Sequence, residues 1–187
     1  LKEKILAQAE QHVKEEATRT KENAHSIVGS SYAKVAGSDT KEAKEMKKQL
    51  LHSGWQLTTV GKNDTIPATV PGSVYNDLLN AGRMEDPYWR DNEMKALALM
   101  DEDYRYNTTF DVNADVLNSE RVLLRCEGLD TIADIVLNGE KIASVCNMHR
   151  TWEFDVKDSL KTTGNTLEIV FHSPTKYIKE QDKICHA

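Results

Sequence analysis

The sequence predicts a mainly β protein, a β-sandwich with a few short helices that follows an α-helical N-terminal extension. Apolar and polar residues alternate with period two in several segments after residue 50, and turn signals separate these segments about every 8 to 15 residues. The extension is predicted by composition. All three Trp, all three Phe and all four Pro lie beyond residue 50, and residues 1–50 contain a single Tyr.

Residues 1–45 form the predicted helical extension, and residues 46–187 form the predicted sandwich domain. Over residues 1–28, apolar residues recur at helical spacing among Lys, Glu and Gln, which are good helix formers. A Gly-Ser pair then interrupts the pattern. A capping-box pattern that starts at Asp39 predicts a second helix that runs through Leu50.

Charge and cysteine content narrow the classes of function. The 187 residues carry a net charge of −6, and residues 1–50 contain ten Lys/Arg against eight Asp/Glu, so the acidity belongs to the rest of the chain. An acidic domain argues against nucleic-acid binding, and no apolar run approaches the roughly 20 residues that span a bilayer. Without a visible secretory signal, Cys126, Cys146 and Cys185 are expected to be reduced thiols in the cytoplasm. No metal site or cofactor is predicted, because the cysteines lack the short paired spacing of zinc ligands.

The first predicted strand and the turn after it lie between residues 55 and 72. Trp55, Leu57 and Thr59 alternate with neighbours on the opposite face, as in a half-buried strand. Pro71 fixes φ near −65° and Gly72 permits a positive φ, so a sharp reversal of the chain is expected here.

Residues 73–81 predict a short amphipathic helix. Val74, Leu78 and Leu79 are expected to face the core, and Gly82 is expected to end the helix.

The remaining elements follow in order along the chain. Residues 92–100 predict a helical turn, and residues 104–112 predict a strand. Asn138-Gly139 between β-branched runs predicts a hairpin, because both turn residues must tolerate a positive φ. Two further segments with period two, residues 152–156 and 165–171, complete the predicted strands.

A series of motifs gives the chain its resemblance to a known family. Gly128-Leu129-Asp130-Thr131-Ile132-Ala133 runs into Leu137-Asn138-Gly139, Phe154-Asp155-Val156 follows, and a later strand closes on Phe171-His172-Ser173-Pro174. This order resembles the first domain of the family 2 glycoside hydrolases, a jelly-roll β-sandwich of the galactose-binding-domain-like type. The resemblance covers about residues 50–175.

Two loops narrow the resemblance further. Val70-Pro71-Gly72, and the run from Asp86-Pro87-Tyr88 to Asp91-Asn92-Glu93, are similar to bacterial β-mannosidases more than to the family's β-galactosidases or β-glucuronidases. The resemblance therefore implies the N-terminal module of a retaining exo-β-mannosidase, which hydrolyses terminal β-D-mannosyl residues. A module of a β-galactosidase or β-glucuronidase of the same family, and a free-standing carbohydrate-binding module, remain alternatives.

The resemblance also implies that this chain holds no catalytic residue. The two catalytic glutamates of the family lie in a later barrel, and the family's Gly-Trp-Asp-Trp-Gly-Pro segment does not occur here, so the sandwich is expected to lack its last strands. The run from Met46 to Trp55 resembles the start of bacterial relatives, so residues 1–45 are expected to be an appended segment. The expected partners are the barrel and sandwich domains of the same enzyme and a β-mannoside oligosaccharide.

Trp89, Asp91 and Asn92 are the candidate substrate-binding residues. In related family 2 enzymes, loops of the first domain help to line the glycone pocket, so the resemblance implies that Asp91 and Asn92 reach towards the mouth of the active site. Trp89 has the flat aromatic surface on which a sugar ring stacks. The alternative is that Trp89 packs between domains, since interfaces are enriched in Trp.

Overall fold

The computed structural model describes residues 30–34, by their backbone, and residues 47–185. The strands are β1 (Ser30–Lys34), β2 (Lys48–Leu50), β3 (Gln56–Thr59), β4 (Thr65–Pro67), β5 (Tyr104–Phe110), β6 (Leu123–Glu127), β7 (Ala133–Leu137), β8 (Glu140–Val145), β9 (Trp152–Asp155) and β10 (Asn165–Phe171). The helices are α1 (Val74–Asn80), α2 (Asn92–Leu99), α3 (Ala114–Leu117) and α4 (Pro174–Cys185), with a 3₁₀ turn at Lys157–Ser159.

The strands form two antiparallel sheets. One has the order β2-β1-β6-β9 and the other has the order β4-β3-β5-β10-β7-β8. Leu124 and Cys126 of β6 belong to the same buried cluster as Leu57, Ile135 and Leu167 of the larger sheet. One apolar core therefore joins the two sheets, and the predicted mainly β sandwich with a few short helices is confirmed.

None of the helices in the described part of the chain has both the length and the apolar character to cross a membrane.

The predicted hairpin is present between β7 and β8. Asn138 and Gly139 have φ angles of 52° and 84°, as the tight turn requires. The side chain of Asn138 also holds the neighbouring strand, because its amide donates to Asn165 Oδ1 at 3.0 Å and its carbonyl oxygen accepts from the Thr166 amide at 2.9 Å. The turn therefore fixes the register of β10 as well as that of the hairpin.

The described residues near the N-terminus differ from the prediction. Residues 30–34, predicted to lie within the helical extension, form β1, which pairs with β2 on one side and β6 on the other. Residues 48–50, predicted as the end of a helix, form β2. The backbone groups of both segments form hydrogen bonds within the sheet, and this pairing outweighs the local preference of the two segments for a helix. The predicted helix over residues 1–28 lies outside the described residues, and the domain boundary at residues 45 and 46 stays a prediction.

Helix α1 forms where the sequence predicts it, but its inward face is different. The side chain of Ser73 accepts a hydrogen bond from the Asn76 amide at 3.3 Å and so caps the helix. Leu78 is buried as predicted, whereas Leu79 is exposed and the prediction for it is wrong. Its place in the interior is taken by Asp77, which is buried.

The turn before α1 requires glycine for a reason other than the predicted one. Gly72 is not among the residues with a positive φ. A Cβ atom at this position would lie 2.1 Å from the carbonyl oxygen of Thr69. Gly72 therefore permits a close approach of two backbone segments, which no residue with a side chain allows.

Asp77 joins three elements of the fold. Its Oδ1 accepts a hydrogen bond from the Thr69 amide at 3.0 Å, and its Oδ2 accepts one from the Tyr106 hydroxyl at 2.9 Å. Thr69 belongs to the turn before α1, and Tyr106 lies in the middle of β5. The buried carboxylate therefore ties the helix and its turn to the larger sheet.

We expect Asp77→Ala to lower the free energy of unfolding by about 2–4 kcal/mol, because it leaves two inward-facing donors without an acceptor. Asp77→Asn is expected to cost less, since its amide oxygen still accepts from Thr69. Urea denaturation followed by tryptophan fluorescence measures both. The control is Asp115→Ala, which removes an exposed carboxylate 3.6 Å from Lys47 and is expected to change stability by about 0.5 kcal/mol or less. Equal losses in Asp77→Ala and Asp115→Ala would contradict this account.

Candidate functional site

A cavity of about 290 Å³ opens at one end of the larger sheet. Tyr104 at the start of β5 lies opposite Phe171 at the end of β10, and Phe171 lies opposite Ala133 at the start of β7. The loops before α1 and β7 close the sides of the cavity. The apolar wall includes Trp55, Val70, Val74, Tyr104, Tyr106, Leu129, Ile169 and Phe171.

The aromatic side chains of this wall are fixed by the protein itself. The rings of Tyr106 and Phe171 meet edge to face, with centroids 5.8 Å apart and an angle of 86° between their planes. Trp55 Nε1 donates to the Leu51 carbonyl at 2.9 Å, and the Tyr104 hydroxyl donates to the Leu99 carbonyl at 3.2 Å. Because their polar atoms are already bonded elsewhere, these side chains offer the cavity mainly apolar surface.

Tyr104 and Tyr106 of the wall stay neutral at physiological pH. Burial raises the pKa of Tyr104 to about 12, with a smaller contribution from the nearby Glu102 carboxylate. Burial also raises the pKa of Tyr106, and the Asp77 carboxylate that accepts its hydroxyl hydrogen adds to the effect. Neither phenol can therefore act as a base at neutral pH.

The polar residues at the rim of the cavity also have partners within the protein. Glu102 forms an ion pair with Lys62 at 2.8 Å. His172 Nε2 lies 3.1 Å from an oxygen of Asp134, and its Nδ1 lies 3.8 Å from an oxygen of Asp103. The imidazole therefore bridges two carboxylates at the end of β10.

Asp134 has the most strongly displaced pKa of these carboxyl groups. Partial burial raises it, but hydrogen bonds from Lys141, Ser144 and His172 outweigh burial and lower the pKa to about 2. The Lys141 ammonium lies 2.8 Å from Asp134 and the Ser144 hydroxyl lies 2.7 Å from it. Asp134 is therefore ionised throughout the physiological range and serves as an anchor between β7, β8 and β10.

A glycosidase active site pairs two carboxyl groups that have different roles. Such a site needs one carboxylic acid whose pKa is raised, so that it can protonate the leaving group. The described carboxyl groups with a displaced pKa are Asp101, Asp103, Asp134 and Asp155, and in each the displacement is downward. Nor do the described residues contain a group of three or more His, Cys, Asp or Glu that could hold a metal ion.

The three predicted substrate-binding residues lie outside this cavity: Trp89 and Asp91 belong to the loop that leads into α2, and Asn92 is the first residue of that helix. Trp89 and Asp91 are exposed, whereas Asn92 is buried. The Asn92 amide donates to the Asp86 carbonyl at 3.0 Å, and the Trp89 backbone amide donates to the same oxygen at 3.1 Å. The structure therefore brings Trp89 and Asp91 to the surface of one loop and uses Asn92 to hold that loop in shape.

Sequence reasoning predicted the strand that carries Tyr104 and Tyr106, and the structure buries both side chains. It did not find the cavity that they line or the role of Asp77. A polar residue within an amphipathic helix ordinarily faces water, so no local pattern in the sequence marks Asp77 as buried.

Comparison with known proteins identifies the family of this domain. Residues 55–186 match the family described as glycosyl hydrolase 2 galactose-binding domain-like. A β-mannosidase of Bos taurus is 31% identical over 133 residues, which are 71% of this chain and 15% of that protein. β-Mannosidase A of Emericella nidulans is 38% identical over 122 residues, which are 64% of this chain and 13% of that protein.

The comparison of structures gives a similar result. The crystal structure of a β-D-mannosidase from Dictyoglomus thermophilum superposes with a TM-score of 0.69 and 37% identity, and the match covers 71% of this chain and 16% of that one. This chain therefore matches only about one seventh of the length of these relatives.

The anchoring role of Asp134 predicts how stability depends on pH. The folded pKa, about 2, lies below the ordinary value of 3.8, so the contribution of Asp134 is present above pH 3.8 and is lost as the pH falls towards 2. We expect Asp134→Asn to be less stable than the unchanged chain at neutral pH and to lose less stability over this acid range. Urea midpoints measured across the range test this.

The matched control is Glu140→Gln, which replaces an exposed carboxylate of β8 by an uncharged amide. This variant is expected to lose as much stability as the unchanged chain when the pH falls from 3.8 towards 2. An acid dependence of Asp134→Asn equal to that of the control would show that Asp134 is not the group responsible.

Proposed function

The chain belongs to the glycosyl hydrolase 2 galactose-binding domain-like family, and from this we propose that it forms the N-terminal, non-catalytic sandwich module of a retaining exo-β-mannosidase. The observation that carries the proposal is the likeness to β-mannosidases in sequence and in structure, which extends over about two thirds of the chain. In this proposal the hydrolysis of terminal β-D-mannosyl residues is carried out by other parts of a longer protein.

The chemistry of the described residues supports a scaffolding role. Polar groups near the cavity form ion pairs and hydrogen bonds that hold strands together: His172 at the rim is bonded to Asp134, which is bonded in turn to Lys141 and Ser144. A scaffold of this kind contributes to catalysis by holding loops in position relative to a site built elsewhere. In this proposal the partners of the module are the further domains of the same polypeptide, and those domains bind the β-mannoside.

The loop from Asp86 to Asn92 is the part of the module that we place nearest the glycone pocket of the complete enzyme. Its backbone is held by the Asp86 carbonyl, which accepts from the amide of Trp89 and from the side chain of Asn92. In this proposal Trp89 and Asp91 face the neighbouring site, and Asn92 acts as a positioning residue for both.

We also propose that the protein works in the cytoplasm. The cysteine chemistry supports this: within the described part of the chain, Cys146 and Cys185 are exposed free thiols. Exposed free thiols are typical of a reducing compartment.

The test compares the 187-residue chain with the full-length protein that carries it. We expect the chain alone to give no turnover of nitrophenyl β-D-mannoside, because it lacks the acid and nucleophile pair. The full-length protein is expected to hydrolyse the mannoside in preference to the corresponding galactoside and glucuronide. Preference for either of the other two would overturn the assignment to β-mannosidases, and turnover by the chain alone would overturn its non-catalytic role.

A further inference from the structure

The cavity at the end of the larger sheet has the size of a binding site for a small organic molecule. Its volume is about 290 Å³. An apolar cavity of roughly 150 Å³ holds a benzene molecule, so this cavity has room for a substituted ring or for two fused rings. It also reaches the surface, because Asp130, which is one of its lining residues, is exposed. A ligand can therefore enter without unfolding of the domain.

The wall of the cavity favours an aromatic ligand. Trp55, Tyr106 and Phe171 line it, and the rings of Tyr106 and Phe171 already meet edge to face. Aromatic rings pack favourably against one another in edge-to-face and offset arrangements. The Trp55 indole and the Tyr106 hydroxyl each donate a hydrogen bond within the protein, so these rings are held in position before a ligand binds. Such preorganisation lowers the entropy lost on binding.

A sugar fits the same wall poorly. Sugar hydroxyl groups need hydrogen-bond partners when they leave water. Tyr75, Tyr104 and Ser173 of the lining donate their hydroxyl hydrogens to backbone carbonyls of the protein. Because these donors are already used, a polyhydroxylated ring would lose hydrogen bonds to water and replace few of them.

The charge at the mouth of the cavity favours a cation. Glu102 at the mouth is paired with Lys62, and His172 is bonded to Asp134. Asp130 is different, because no basic side chain of the described residues forms an ion pair with its carboxylate. The mouth therefore presents one negative charge that the described part of the protein does not neutralise.

We propose that the cavity binds a small aromatic molecule that carries a primary ammonium group, with the ring against the aromatic wall and the ammonium group beside Asp130. The Asp130 carboxylate accepts a hydrogen bond from the Thr131 hydroxyl and keeps further lone pairs for the ammonium group. Since Asp130 is exposed, the ammonium group stays in contact with water and loses little hydration. The proposal concerns the domain itself and does not depend on the enzymatic activity proposed above.

The experiment is calorimetric titration of the 187-residue chain with three probes of similar shape and different charge. At neutral pH phenethylamine is a cation, phenethyl alcohol is neutral and hydrocinnamate is an anion. Phenethylamine is expected to bind most tightly and hydrocinnamate most weakly. Added salt is expected to weaken the binding of phenethylamine and to leave that of the alcohol unchanged. The proposal is overturned by a lack of phenethylamine binding, or by hydrocinnamate binding that is as tight.

A matched pair of substitutions tests the charge at the mouth. Asp130→Asn is expected to weaken the binding of phenethylamine about threefold, since an ion pair in contact with water contributes little. It is expected to leave the affinity for phenethyl alcohol unchanged. Asp115→Asn, at an exposed residue of α3 outside the cavity, is the control and is expected to change neither affinity. Equal effects of the two substitutions would assign the preference to the net charge of the chain and overturn the role of Asp130.

A second pair of substitutions tests the cavity itself. Val74→Phe places a ring at a lining residue of α1 and is expected to abolish the binding of both phenethylamine and phenethyl alcohol. Val60→Phe, at an exposed residue outside the cavity, is expected to leave both affinities unchanged. Urea denaturation establishes that each variant is folded. Unchanged binding by folded Val74→Phe would overturn the proposal.

A measurement on the unchanged chain locates the ligand without any variant. Nuclear Overhauser effects between the phenethylamine ring and the indole of Trp55 are expected, and none with the indole of Trp89, which lies outside the cavity. The reverse result would place the ligand in the loop before α2 and overturn the proposal. Calorimetric binding of mannose that Val74→Phe abolishes would assign the cavity to a sugar and would overturn it as well.

Discussion

The fold depends on the hydrogen bonds that Asp77 accepts in the interior. A buried carboxylate is costly unless donors surround it, and here the donors come from the turn before α1 and from β5. Thr69 supplies a backbone amide, and Tyr106 supplies a hydroxyl from the middle of the strand. The contact requires the turn to pass close to itself, which explains why Gly72 stands where any Cβ would strike the Thr69 carbonyl. One polar contact thus places a helix, a turn and a strand relative to one another.

The cavity is a consequence of that placement. Tyr106 donates its hydroxyl hydrogen to Asp77 and turns its ring against Phe171, so the wall is aromatic and its polar atom is already bonded. At the rim, His172 is bonded to Asp134 of β7. Polar groups that are satisfied in this way stabilise a single arrangement of the strands. The bonds that define the domain therefore also shape the wall and the rim of its cavity.

Sequence reasoning succeeded where structure is local. The strand β5 and the Asn138-Gly139 turn depend on neighbours along the chain, and both elements were predicted. It failed where the cause lies far away in sequence. Asp77 is buried because of a tyrosine 29 residues later, and residues 30–34 form a strand because β6 offers them a pairing partner. Helix α4 was also missed, since none of its residues is buried to impose a recognisable pattern.

The three predicted substrate-binding residues are close together in the sequence but differ in their burial. The sequence grouped Trp89, Asp91 and Asn92 by proximity, whereas the fold gives Asn92 to the interior and the other two to the surface. Asn92 holds the loop in shape, and Trp89 and Asp91 are exposed on it. These residues are near neighbours in the chain, so only the packing of the folded protein distinguishes their roles. Packing thus divides three neighbouring residues between holding the loop in shape and facing its surroundings, and their order in the sequence does not reveal this division.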